Sequence, residues 1–241
     1  MALLIIFSLA ACLLLAPLYV VYKPPTALIR YFQHRWPDVL WHVETTKKVV
    51  ALTIDDAPSS HTREIVQVLN ANNATATFFV VGSQASGQEE VLAELLKNGH
   101  ELANHAMHDE ASKFLSNAEL LHQIEAVHTQ IEHAYRMANA RHSEHRFFRP
   151  GSGFFSTRMR QTLSKVDYQI VLGSIYPHDA QIPYWKINAH HILSMLRPGA
   201  IIICHDRRSW TVPMLRTVLP EMKRRGYEIT TVSELLKQSA R

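Results

Sequence analysis

The stretch VVALTIDDAPSSHT, Val49 to Thr62, begins as a strand-like apolar run and ends it on two adjacent carboxylates, Asp55 and Asp56. Like charges side by side raise each other's proton affinity unless a cation or an arginine compensates them. The stretch decides the fold because the same succession returns along the chain. A short β-branched or aromatic run gives way to unusual polar residues, and an amphipathic stretch of helical length follows.

Seven runs have the strand pattern: Val49–Ile54, Thr75–Val81, His100–Asn104, Arg146–Arg149, Tyr168–Gly173, Ala200–Cys204 and Tyr227–Val232. Between them lie helical stretches at Arg63–Asn72, Glu89–Gly99, Asn117–Ala138, Thr157–Val166, Ala189–Arg197 and Val212–Gly226. Several close on the Asn or Gly that commonly follows a helix. Strict alternation with short connections predicts βα units around a parallel sheet, either a barrel or a doubly wound sheet. There is no internal repeat and no low-complexity tract.

The 241 residues suit one domain of barrel size, and 47% hydrophobic with 19% charged residues describes a globular chain. A net charge of +4 is spread along the sequence, with no basic stripe interleaved with aromatics, so nucleic acid is not an expected partner. Two cysteines, Cys12 and Cys204, make no disulfide framework. Residues 1–22 are apolar and free of charge up to Lys23, which fits a single N-terminal membrane anchor; a cleaved signal segment competes with that reading. Residues 23–46 read as a proline-punctuated juxtamembrane connector, and 47–241 as the folded domain. The expected location is membrane-anchored or secreted. The first basic residues follow the apolar run and favour a domain held inside, whereas Asn73-Ala74-Thr75 is a glycosylation pattern that matters only outside.

Nearly every unusual polar residue follows the end of a strand candidate: Asp55 and Asp56, then Asn104 to Glu110, Arg149, Tyr176 to Asp179, and His205 with Asp206. Parallel α/β folds assemble their sites on that face. A divalent metal is the natural cation to set against paired aspartates. His105 with Asp109 or His108 has the spacing of one face of a helical turn. Together with Asp56 these give three nitrogen or oxygen ligands and leave an open position for water, as in a catalytic zinc site. Taken singly, each piece also has a plain structural reading: an N-cap for Asp55-Asp56 or His205-Asp206, a polar helix start for Asn104 to Asp109, a turn at Pro177 to Asp179, a surface Arg149.

Residues 47–236 resemble the polysaccharide deacetylases of the NodB-homology type, carbohydrate esterase family 4, which share a distorted seven-stranded β/α barrel. Thr53 to Pro58, TIDDAP, is similar to the first family motif TFDDGP. His100 to Asp109, HELANHAMHD, is similar to the second, and Phe147 to Phe155, FFRPGSGFF, to the third. Ile201 to Asp206, IIICHD, is similar to the fifth. The resemblance implies Asp55 as catalytic base, Asp56 and His105 as metal ligands, Arg149 as the residue orienting the base and His205 as general acid. Asp179 would hold Arg149 or His205. Where the second motif ends in a metal-binding histidine, this chain has Asp109, with His108 one residue early.

Two further departures are Ala57 for the motif glycine and Ala180 for the tryptophan of the fourth motif. The implied activity is metal-dependent removal of N-acetyl groups from a polysaccharide containing N-acetylglucosamine, chitin-like or peptidoglycan-like. The implied cofactor is zinc, and the oxygen-rich ligand set shifts preference somewhat toward cobalt or manganese. Two alternatives stand beside it: a catalytically impaired, membrane-tethered carbohydrate-binding protein on the same fold, or an amidase for a non-sugar amide.

Overall fold

The computed structural model describes residue 1 and residues 13–239. Its strands are β1 (Val39–Leu40), β2 (Val49–Ala57), β3 (Thr77–Val80), β4 (Glu101–Asn104), β5 (Arg146–Phe148), β6 (Tyr168–Val171), β7 (Ile201–His205) and β8 (Glu228–Thr230). They form one sheet in the order β1-β6-β5-β4-β3-β2-β7, and β8 pairs with the start of β2. All of these strand pairings are parallel. Bridges from Ile175 to Ile202 and from His42 to Ala200 carry the chain after β6 and after β1 onto β7. The sheet thereby curls into the distorted β/α barrel that the family resemblance implied.

Seven strands lie where the sequence puts them, and β1 is additional. It belongs to residues 23–46, expected as a connector, which also contribute the helix Thr26–Arg35. This segment buries Ile29, Val39 and Val43 and pairs β1 with β6. The last strand stops at Thr230 and does not reach Val232. Thr231 Oγ1 accepts from Glu234 N at 3.2 Å and starts the helix Val232–Ser239 as its cap.

β2 is buried along all nine residues and runs between β3 and β7, so its end lies inside the barrel. Helices cover the outside because each buries one stripe. In Asn117–Ala138 the buried residues include Leu120, Ile124, Val127, Ile131 and Ala134, at helical spacing. Ser116 caps this helix by accepting from Glu119 N at 3.1 Å, and Asn139 closes it in the left-handed conformation.

Most of the expected N-terminal anchor, residues 2–12, lies outside the described residues. Residues 13–22 are helical, with Leu13, Leu14, Leu18, Tyr19 and Val21 exposed. Among the described residues no helix is long and apolar enough to cross a membrane.

Candidate active site

Neighbouring residues of a regular strand point to opposite faces. Asp55 and Asp56 escape that rule because the register of β2 against β3 shifts between Ile54 and Ala57, and Asp56 adopts φ 62°. Such an irregularity re-aims a side chain at a strand end. Aspartate enters the left-handed region more readily than most residues. The positive φ falls on Asp56 and not on Ala57, the residue that stands for the motif glycine, so the Ala57 Cβ meets no left-handed strain.

Asp55 is 3% exposed and its Oδ1 accepts from Arg149 Nη1 at 2.5 Å. Arg149 is no surface residue. Its Nε donates to Val171 O at 3.0 Å, Nη2 to Leu172 O at 2.7 Å and Nη1 also to Thr53 Oγ1 at 2.7 Å. The guanidinium lies 4.0 Å above the Phe79 ring centroid. A charge this deep persists only when its donors are met, and here they tie the ends of β2, β5 and β6 together.

His205 Nε2 lies 4.0 Å from the other oxygen of Asp55, Oδ2. Of the two partners open to Asp179, the structure gives it His205: Oδ1 is 2.9 Å from His205 Nδ1 and Oδ2 accepts from His205 N at 2.8 Å. Burial works against the charged imidazole, but Asp179, then Asp55 and Asp56, outweigh it and push its pKa up to about 9. Trp210, from the loop after β7, donates its indole N–H to Asp179 O at 2.8 Å. An indole therefore does stand against the segment where Ala180 replaces the motif tryptophan. Nothing in the local sequence of Trp210 ties it to Asp179, 31 residues away.

His105 turns Nδ1 to the carbonyl of Arg149 at 2.7 Å, which leaves Nε2 facing Asp56 Oδ1 at 3.9 Å. Asp56, His105 and Asp109 each offer a ligand atom, and these atoms lie within 4.8 Å of one another. Among the described residues this is the cluster of three with that property, and His108 is not in it. Burial pushes the Asp56 carboxyl above its ordinary value; His205 and His105 oppose the shift, and Asp109 and Asp55 add to it. Two carboxylates and an imidazole, one of them exposed and two buried, fit a divalent cation.

The reason Asp109 joins His105 differs from the sequence expectation. Residues 107–110 form a bend and not a helical turn. Ala106 at φ 65° redirects the chain. Asn104 Oδ1 holds it by accepting from Ala106 N at 2.9 Å, and Ala106 O accepts from Gly82 N at 3.0 Å. Beyond the bend, Gly151 N donates to Ser112 Oγ at 3.0 Å. A Cβ on Gly151 would come within 1.9 Å of Glu110 O, so the loops after β4 and β5 touch backbone to backbone.

The polysaccharide deacetylase family model matches residues 42–171, and a peptidoglycan-N-acetylglucosamine deacetylase of Bacillus cereus is 32% identical over 83% of this chain and 93% of its own. The chain belongs to the polysaccharide deacetylase family. A second relative in this family, a chitooligosaccharide deacetylase of Bradyrhizobium, is 30% identical over 77% of this chain and 90% of its own. Among solved structures, a Bacillus anthracis protein described as a pseudoenzyme of carbohydrate esterase family 4 superposes with a TM-score of 0.73. It is 25% identical, over 82% of this chain and 68% of its own. The family thus includes a member described as inactive, and the groups around Asp55 matter for placing this one.

Proposed function

We propose that the chain hydrolyses N-acetyl groups from a polysaccharide containing N-acetylglucosamine, chitin-like or peptidoglycan-like, with a divalent cation, zinc foremost, held by Asp56, His105 and Asp109. The observation that carries this reading is the separate commitment of the paired aspartates. Asp55 is bound to Arg149 and faces His205, whereas Asp56 faces His105 and Asp109. The named substrates of the Bacillus cereus and Bradyrhizobium relatives support the substrate class. The apolar run of residues 1–22 supports a protein anchored at a membrane or exported across one.

A divalent cation held by Asp56, His105 and Asp109 would supply Lewis acidity at the reacting amide. The rest is the work of side chains. Arg149 fixes one oxygen of Asp55 and leaves Oδ2 to take the proton of the water as its oxygen attacks the acyl carbon. His205, whose Nδ1 is engaged by Asp179, presents Nε2 to the departing nitrogen and protonates it as the C–N bond breaks. Acetate and the free amine leave.

Acetate release from chitin oligomers and from peptidoglycan, assayed with elemental analysis, tests the reading. Asp56→Ala should lose both the bound metal and the activity. Retained metal with full deacetylation in that variant would reject the ligand assignment. Acetate release from neither polymer by the zinc-loaded protein would favour the carbohydrate-binding alternative.

The raised pKa of His205 gives a second expectation, with a definite sign. The imidazolium is the working form, so activity should fall as pH rises through about 9. Asp179→Asn should move that limb down toward the ordinary histidine value of about 6.5. The same group stabilises the fold fully below about pH 6.5, and that contribution disappears as pH rises through the folded value of about 9. A pH–rate profile and a melting series over pH 6 to 10 read both. An alkaline limb that stays put in Asp179→Asn would remove His205 from the acid role.

A further inference from the structure

Arg208, on the loop after β7, matches none of the motifs. Its Nη2 stands 3.5 Å from Asp56 Oδ2, while Oδ1 of the same carboxylate faces His105. The Arg208 side chain is 24% exposed and that of Asp56 is 2% exposed. A guanidinium therefore reaches from the rim into the buried side of the Asp56, His105 and Asp109 cluster. The other arginines at the site are engaged elsewhere. Arg149 is spent on Asp55, Thr53 and two carbonyls. Arg207 Nη1 meets the side-chain oxygen of Gln84 at 3.2 Å, in the amide orientation that also lets Gln84 donate to Asp56 O.

Charge makes the position of Arg208 meaningful. One aspartate with two histidines, the pattern of the family's motifs, carries a formal charge of −1. Asp109 in place of the second histidine makes it −2. With Arg208 in reach of Asp56, the local sum returns to −1. A second cation placed against the same carboxylate also repels a divalent ion and shares the lone pairs that would bind it.

We infer that Arg208 is the built-in counter-cation of the Asp56, His105 and Asp109 cluster, offsetting the extra negative charge of Asp109 and setting how tightly the cluster holds a divalent metal. This rests on the metal reading of the cluster. Arg208 is a positioning residue for charge and touches no reacting atom. Its role is to keep the cluster from neutralising and trapping the ion it binds.

The full-length protein, stripped with a chelator, is titrated with Zn2+ and separately with Mn2+ in competition with a chromophoric chelator. The variants are Arg208→Gln, Arg208→Lys and Asp56→Ala. Arg208→Gln should bind both ions about tenfold more tightly or better, and Arg208→Lys, which keeps the charge, should stay within about threefold of the parent. The gap between Gln and parent should narrow in high salt, as a charge effect does at a partly exposed group. Melting of the stripped variants confirms that each is folded. A Gln-to-parent ratio below about threefold overturns the inference, as does a lysine variant that behaves like glutamine. If Asp56→Ala takes up metal as the parent does, or neither parent nor Arg208→Gln takes up any, the metal reading fails and this inference with it. Ordinary uptake by the parent, lost in Asp56→Ala but unchanged in Arg208→Gln, sinks the Arg208 role alone.

Discussion

Asp55→Asn is expected to cut acetate release by about a thousandfold while leaving the bound metal in place, within the range assigned to a positioned general base. Asparagine keeps the shape of the side chain and an oxygen for Arg149 but cannot take up a proton. The metal cluster is expected to persist because Asp56, His105 and Asp109 have their own supports. Asp56 sits at the register shift of β2, His105 is held by the Arg149 carbonyl, and Asp109 lies on the bend after Ala106. Single-turnover acetate release and metal analysis on the same sample read the two effects apart. A variant retaining more than about a tenth of parental turnover would remove Asp55 from the base role.

The largest effect on stability belongs to Arg149→Met. The substitution fills most of the volume and removes every polar contact. The carboxylate of Asp55 and the carbonyls of Val171 and Leu172 lose their donor in a region with no room for exposure. Breaking one side of a buried ion pair costs about 3–5 kcal/mol, to be read as a lowered midpoint in urea unfolding of the metal-free protein. Arg149→Lys should recover only part of that loss, since one ammonium cannot serve four partners spread over the ends of β2 and β6. A loss below about 1 kcal/mol would mean that water or a neighbour takes over the freed groups.

Much of the fold is legible from the sequence because periodicity and burial go together in βα units. Long runs such as Val49 to Ile54 and Ala200 to Cys204 have no other stable use, and Asn117 to Ala138 carries its cap and its stripe in plain view. β1 is not legible: two residues offer no period, and Val39–Leu40 is a strand only because β6 needs a neighbour. The site divides along similar lines. Residues at strand ends, Asp55, Asp56, Arg149 and His205, follow from position and motif. The way Asp109 reaches His105 does not, since spacing argued for a helical turn and the chain instead bends at Ala106. Arg149 shows the same limit: a lone arginine before Pro-Gly looks exposed until the curl of the barrel closes over it. Trp210 and Arg208 act across large gaps in sequence, and a loop reading Arg-Arg-Ser-Trp carries no period or cap that would announce what either side chain touches.

The backbone contact between Gly151 and Glu110 has a consequence for how this site can change over generations. Two stretches, one bearing Asp109 and the other following Arg149, abut with no side chain between them to absorb a misfit. Their backbone positions are therefore coupled. Transplanting either stretch from a relative without its counterpart is expected to jam the junction, because any side chain at position 151 would strike the Glu110 carbonyl.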